Sequence, residues 1–222
     1  MNKILTFNMA AKDEVLSSTV EKQFQRLMSN KERDIKSKEC SWIFDGKWIR
    51  AGHIHYSLKG ETRVWETVER TTRKGTADAV DIIATQKDKD RILLVAVYRP
   101  PINKICVEFP SGLIDKNEEP SEAGERELRE ETGHEGKVEN ISVPVYCDPW
   151  KSTENTILVQ MSITDDAGKQ SLDDDEYIEA FYLSLQNLLK SLQSLKEKFD
   201  IEIESKLYLF ALGLENGKTL LK

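Results

Sequence analysis

From residue 41 onward the chain is a succession of short segments in which apolar and polar positions alternate. WIFDGKWIRAGHIHYSL and ETRVWETVERTT break at Asp45-Gly46 and Lys59-Gly60, and this period and turn chemistry belong to strands joined by hairpins. TADAVDIIAT and RILLVAVYRPP predict two further strands with KDKD as the turn between them. The second is almost continuously apolar, as expected of a strand covered on both faces, until Arg99-Pro100-Pro101 ends it. KICVEFPSG reads as a short strand running into a loop, and KVENISVPVY, NTILVQMSIT and EYIEAFYLSL as later strands. LQNLLKSLQSLKEKF and SKLYLFALGLENG have helical spacing, the latter closing at Gly217. Strands outnumber helices, and the long helices fall mid-chain and at the end. The pattern predicts an α/β sandwich around a mixed sheet.

Residues 1–40 lack such a pattern and end in the mixed-charge run NKERDIKSKEC. They are expected to form a mobile or loosely helical extension. The predicted organisation is this extension (1–40), a small N-terminal β-subdomain (41–75) and a main α/β domain (76–222).

Composition narrows the function classes. A chain of 222 residues with 39% hydrophobic and 32% charged residues suits one sizeable core. No apolar run approaches the roughly 18 residues that span a bilayer. The net charge of -7 disfavours binding to nucleic acid or anionic membranes, which needs a basic face. An acidic protein acting on a phosphate-bearing substrate needs bridging cations. Cys40, Cys106 and Cys147 share no metal-ligand spacing and leave an odd count, which points to a reducing compartment. The N-terminus has neither the features of a secretory signal nor the Arg-rich, acid-poor composition of a mitochondrial presequence. A cytoplasmic location is expected, with the nucleus also open to the protein.

The chemistry concentrates in GLIDKNEEPSEAGERELREETGH, from Gly112 to His134. Pro120 suits the first helical position and Gly133 a left-handed C-terminal stop, so a helix is expected over 120–132. Glu119 is a poor side-chain cap, although an acid there favours the helix dipole. At about 100° per residue, Glu127, Glu130 and Glu131 share an arc of about 100°, where like charges cost a few tenths of a kcal/mol per pair. Arg126–Glu130 and Glu125–Arg129 offset part of that. RELREE alone reads equally as a solvated, salt-bridged surface helix. The wider spacing decides otherwise. Gly112, Glu118, Arg126, Glu127, Glu130, Glu131 and Gly133 fit G-x5-E-x7-R-E-U-x-E-E-x-G-U, where U is apolar and Leu128 takes the first such position. The segment resembles the Nudix box at every fixed residue. Its last position departs, with His134 where an apolar residue is usual.

The resemblance implies the Nudix α/β/α sandwich and hydrolysis of a diphosphate with Mg²⁺ or Mn²⁺. Hard cations take oxygen ligands, and the implied set is Glu127 and Glu131 as main ligands, Glu130 sharing or supporting the site, and the carbonyl of Ser111. Arg126 and Glu118 would orient the helix and loop. From about residue 43 onward, GKW, RVWETVERTTRK, YRPP, EFPSGLID and CDP resemble the eukaryotic ADP-sugar pyrophosphatases, and Pro149 lies where the ADP-ribose branch carries a proline. This likeness implies Trp48 and Trp65 on the two faces of adenine, Glu66 on its edge, Arg70 and Arg99 on the diphosphate, and Leu113 and Asp148 along the ribose. It also implies a homodimer with exchanged N-terminal strands, in which Trp65, Glu66 and Asp148 serve the partner's site. Glu176, in SLDDDEYIEAF, matches the family's general base, with Asp173 to Asp175 close enough to compete for the role. The bland readings are hairpin packing for each tryptophan, a surface ion pair for Arg99 and a solvated acidic loop around Glu176.

The implied activity is hydrolysis of ADP-ribose to AMP and ribose 5-phosphate. The alternatives are other ADP-sugars, oxidised guanine nucleoside diphosphates, or a non-catalytic domain that binds ADP-ribose. Three further motifs carry no function. GLENGKT has too few residues between its glycines for a P-loop. The sequon at Asn140 lacks a secretory route, and His53 and His55 have no ligand cluster.

Overall fold

The computed structural model describes residues 17–29, 36–174 and 176–220. The remainder of the expected extension, 1–16 and 30–35, lies outside the described residues, as does Asp175. Helix α1 (Ser18–Ser29) has no buried residue.

Strands β1 (Lys36–Asp45), β2 (Ile49–Leu58) and β3 (Glu61–Arg70) form a three-stranded sheet in that order. Both anticipated turns are present. The Gly46 N–H donates to the Ile49 carbonyl at 2.9 Å. Lys59 and Gly60 both have positive φ, the backbone hand that matches the twist of a hairpin. The chain divides into two compact units, Gly52–Glu66 with the residues up to Ile43, and Phe44–Ala51 with Thr67–Lys222. The division crosses the strands, whereas the sequence placed its boundaries at 40 and 75.

The second unit is built on β4 (Ala79–Gln86), β5 (Arg91–Arg99), β6 (Lys104–Glu108), β7 (Ser111–Leu113), β8 (His134–Ile141), β9 (Val145–Tyr146), β10 (Asn155–Ala167), β11 (Ile178–Ser184) and β12 (Ile201–Ile203). The main path of this nine-stranded sheet runs β12-β6-β5-β4-β10-β8, with β11 on β5, β7 on β4 and β9 on β10. β10 runs parallel to β4 and β12 parallel to β6, while β5 is antiparallel to both β6 and β11. The mixed sheet is as expected.

Strand alternation sorts the core. Val80, Ile82 and Ala84 point to one face, where they join Leu128 of helix α2 (Pro120–Thr132) and Val159 and Met161 of β10. Ile83, Ile92 and Leu94 join Phe109, Leu192 of α3 (Leu188–Lys198) and Leu207 of α4 (Ser205–Leu220) on the other. Both faces of β4 and β5 are therefore covered, which is why the β5 segment reads as a near-continuous apolar run. The result is the expected α/β/α sandwich.

Several elements differ from expectation: β1 begins at Lys36, inside the stretch expected as a mobile or loosely helical extension, KVENISVPVY divides between β8 and β9, and β12 matches no expected strand. α4 does not close at Gly217 but continues to Leu220. Among the described residues, nothing lies within 4 Å of where a Cβ would stand at Gly213 or Gly217, and the helix carries both in its interior.

Candidate active site

The site begins where β6 ends. From Glu108 the chain passes through Phe109 and Pro110, whose carbonyl accepts the Ile82 N–H at 2.8 Å. β7 then pairs with β4, placing Ser111 opposite Asp81 and Gly112 opposite Val80. The loop to α2 closes through the Asp115 N–H, which donates to the Glu118 carboxylate at 2.9 Å. At the helix start, the Glu119 N–H donates to the Glu122 carboxylate at 3.0 Å, so Glu122 satisfies a backbone group that a Glu119-only reading of the cap leaves open. At the far end, Gly133 has φ 71° and donates its N–H to the Arg129 carbonyl at 2.9 Å.

This frame brings the box carboxylates onto the β7 backbone. Glu131 is only 5% exposed, and its carboxylate accepts the Ser111 N–H at 2.9 Å. Glu127 lies so close over Gly112 that a Cβ there would fall 1.9 Å from its carboxyl group. That contact gives a steric reason for the first glycine of the box. Arg126 organises the rest. Its guanidinium reaches both oxygens of Glu118 at 2.8 and 2.9 Å and the Leu113 carbonyl at 2.9 Å. It also donates to Glu127 at 2.6 Å and Glu130 at 3.1 Å. One cation thus ties the loop, β7 and the helix together, and it holds the Glu118 carboxyl below its ordinary range.

Electrostatics sets Glu127 and Glu131 apart. Burial pushes the Glu127 carboxyl up to about 7, with Arg126 opposing and the charges of Glu130 and Glu176 adding to the rise. Burial pushes Glu131 up to about 8, against the Ser111 N–H and Arg99, with Glu127 and Glu176 adding. Among the described residues, no three His, Cys, Asp or Glu side chains already converge as a ligand set: Glu127 and Glu130 turn to Arg126, and Glu131 to the Ser111 amide. The donor chemistry nevertheless suits a hard divalent cation, since the groups are all oxygen donors whose burial and mutual repulsion a cation would relieve.

A model of the NUDIX domain matches residues 75–203. The chain belongs to the Nudix family. It is 37% identical over 187 residues to the ADP-sugar pyrophosphatase of Mus musculus, covering 80% of this chain and 86% of that protein. It is 34% identical over 185 residues to the ADP-ribose pyrophosphatase of Saccharomyces cerevisiae, covering 77% of this chain and 80% of that one. Among solved structures, a crystal structure of an ADP compounds hydrolase superposes with a TM-score of 0.62 at 18% identity, covering 86% of this chain and 98% of that one; at that identity the likeness concerns the fold.

The departure from the Nudix box at His134 has a simple basis. The ring is buried, its Nδ1–H donates to the Thr132 carbonyl at 3.0 Å, and its Nε2 accepts from the Tyr182 hydroxyl at 2.7 Å. Burial pushes its pKa down. A neutral imidazole with both nitrogens satisfied fills the position that an apolar side chain usually holds.

The segment carrying Glu176 is fastened to the Nudix helix. The Ser171 N–H donates to the Glu130 carbonyl at 2.9 Å, and the Gln170 amide donates to the Glu131 carbonyl. Glu176 is exposed and accepts the Asp173 N–H at 3.0 Å, while its charge raises both Glu127 and Glu131. Asp173 and Asp174 are also exposed.

The substrate candidates fall into three groups. Arg99 is engaged in a fork with the buried Glu108, at 2.9 and 2.7 Å, and Arg70 pairs with Glu154. Leu113 sits on β7 with its carbonyl on Arg126, and Asp148 pairs with Lys151 at 2.8 Å. Trp48 is 53% exposed, with the Lys47 ammonium 4.4 Å from its ring centroid. Trp65 is 47% exposed, and it and Glu66 belong to the first compact unit. Glu108, Glu154, Gln170 and Ser171 have no signal in the sequence pattern; they are identified by their bonds to Arg99, Arg70 and the carbonyls of α2. GLENGKT lies inside α4, which removes the P-loop reading.

Proposed function

We propose that the protein is a Mg²⁺-dependent diphosphatase, with Mn²⁺ as a substitute, that hydrolyses ADP-ribose and related ADP-sugars to AMP and a sugar 5-phosphate. The observation that carries this reading is the pair of box carboxylates packed on β7, the buried Glu131 on the Ser111 N–H and the half-buried Glu127 over Gly112, with Glu176 within electrostatic reach of both. The names of the mouse and yeast relatives support the substrate class. A non-catalytic binder has no need to keep two acids, one buried and one half-buried, in such an unfavourable state.

Glu127 and Glu131 would hold the cation, Glu130 would support them, and the Ser111 carbonyl would add an oxygen. Once bound, a divalent ion would neutralise the diphosphate and make a neighbouring water more acidic. Arg126 keeps Glu127 and Glu130 in place while fixing the loop through Glu118. Glu176 takes the proton as water attacks phosphorus; the bridging P–O bond breaks, and AMP and the sugar phosphate leave. Arg70 and Arg99 bind the diphosphate, and their present partners, Glu154 and Glu108, hold them ready for it. Trp48 and Trp65 supply flat faces to adenine, a role that suits their exposure. Glu66 reads the adenine edge, and Leu113 and Asp148 line the ribose. The active form is a homodimer with exchanged N-terminal strands, so that Trp65, Glu66 and Asp148 act in the partner's site. Among the described residues no helix is long and apolar enough to cross a membrane, and we assign the enzyme to the cytoplasm, with the nucleus also open to it.

The test is AMP release from ADP-ribose in Mg²⁺ and in EDTA, alongside other ADP-sugars and oxidised guanine nucleoside diphosphates. Release that depends on Mg²⁺ and is fastest with ADP-ribose supports the assignment. Faster turnover of the oxidised guanine substrates replaces it, and binding without turnover leaves a sensor domain.

A further inference from the structure

The last carbonyls of an α-helix have no partner within the helix, and α2 finds partners for three of them in the segment between β10 and β11. Glu130 receives the Ser171 N–H at 2.9 Å and Gly133 the Gly168 N–H at 2.6 Å. Glu131 receives the side-chain amide of Gln170. A primary amide has a second N–H, and that of Gln170 reaches the Ile178 carbonyl at 3.3 Å, where β11 begins. One nitrogen thus joins both ends of the stretch 170–178 to the Nudix helix. Inside that stretch, Leu172 packs on Val95, Val97 and Ile178. Asp173 and Glu176 close a turn: the Glu176 N–H donates to the Asp173 carbonyl at 3.0 Å, and the Glu176 carboxylate accepts the Asp173 N–H at 3.0 Å.

We infer that Gln170 is a positioning residue that fixes the proton-accepting acid of this loop relative to the carboxylates that hold the cation. The inference rests on the base assignment proposed above. Its basis is the double use of Glu131, whose carboxylate lies in the metal site on the Ser111 N–H and whose carbonyl holds Gln170. The acidic loop is therefore referenced to a metal ligand itself. Attachment alone does not need Gln170, because the Gly168 and Ser171 amides already fasten the start of the segment to α2. What Gln170 adds is the far end, two residues beyond Glu176. The side chain is half-buried, so its loss costs the fold little, whereas a shift of about 1 Å in a reacting group costs on the order of a hundredfold in rate.

The test is a double-mutant cycle between Gln170 and Glu176. Q170M keeps the length of the side chain and removes both donors. Q170K restores donors, and a lysine suits the carbonyls at a helix C-terminus. With ADP-ribose and Mg²⁺, Q170M should lower kcat roughly 10- to 100-fold, with KM within about twofold of wild type, and Q170K should recover most of kcat. In an E176Q background, Q170M should change kcat less than about twofold, since a base already removed cannot be misplaced. Amide hydrogen exchange in the peptide 170–178 should quicken in Q170M and slow again in Q170K; should Q170M fail to fold, Q170A takes its place. Equal falls in kcat in both backgrounds, a KM that rises as kcat falls, or unchanged exchange reduces Gln170 to a staple and overturns the inference. Near-normal turnover by E176Q alone overturns only the choice of base. The cycle is then read with D173N, and equal falls there also overturn the role of Gln170. Should wild type release no AMP from ADP-ribose, the substrate reading fails on its own, and the cycle is read on the ADP-sugar or oxidised guanine nucleotide that is hydrolysed. Hydrolysis of none overturns both.

Discussion

At the residue scale, the box glutamates are easier to understand as groups under tension than as a list of ligands. Glu127 and Glu131 titrate near 7 and 8 in the folded chain against an ordinary value of 4.5, chiefly because they are buried. Both values are raised, so the fold gains from keeping these groups protonated. That gain is complete below the unfolded value and disappears as pH rises through 7 to 8. In EDTA, the melting temperature should therefore fall between pH 6 and pH 9. Excess Mg²⁺ should remove most of the fall, so the difference between the two curves widens with pH. Overlapping curves would show that these carboxylates need no cation.

Gly112 separates geometry from stability at the same place. The atoms that a Cβ would strike belong to the end of a flexible side chain, Glu127, which can swing away at little cost to the fold. G112A should leave the melting temperature within a degree or two of wild type while weakening the metal site roughly 10- to 100-fold through the displaced carboxylate. A Mg²⁺ titration of activity distinguishes this from general damage. At Glu176, the Gln variant should lower kcat by about 10²- to 10⁴-fold, the usual worth of a positioned base, and leave ADP-ribose affinity nearly unchanged. Near-normal turnover would pass the role to a neighbour such as Asp173.

At the scale of elements, what could be read from the chain depended on how local the cause was. α2 was legible in type and in both boundaries, because Pro120 and Gly133 act on their own backbone and the box spacing lies within one segment. β5 was legible because two covered faces leave a nearly continuous apolar run. β12 is three residues long, too short to display a period, and it exists through pairing with β6. Arg99 and Arg70 were found as candidates, but their partners were not: Glu108 and Glu154 lie on other segments, and no local rule connects them. His134 was legible only as an exception, since its partner Tyr182 comes from β11. The extension of α4 past Gly217 reflects the rest of the helix overriding a weak stop signal, and it has a measurable consequence. An interior helical glycine costs about 0.5–1 kcal/mol relative to alanine, and among the described residues neither Gly213 nor Gly217 has a neighbour that a methyl group would strike. G213A and G217A should each raise stability by about that amount in denaturant titrations, with activity unchanged. A loss of stability at either site would mean that the glycine serves a contact absent from the folded chain described above.

For the whole molecule, the open question is whether a single chain makes a complete site. The box, Glu176, Arg70 and Arg99 all belong to the second compact unit, whereas Trp65 and Glu66 belong to the first. If each chain lends Trp65 to its partner, the defects of two different variants are complementary. W65A keeps its metal carboxylates and E131Q keeps its tryptophan. A mixed dimer of the two therefore has one site with intact carboxylates and a borrowed Trp65, and one site with neither. Random reassortment makes half of the dimers mixed, so a mixture of two nearly inactive proteins should regain roughly a quarter of wild-type activity at low substrate. If each chain completes its own site, mixing yields only the average of the two parents. The outcome decides between these arrangements without relying on dimerisation alone, because a dimer whose chains work independently would show no recovery.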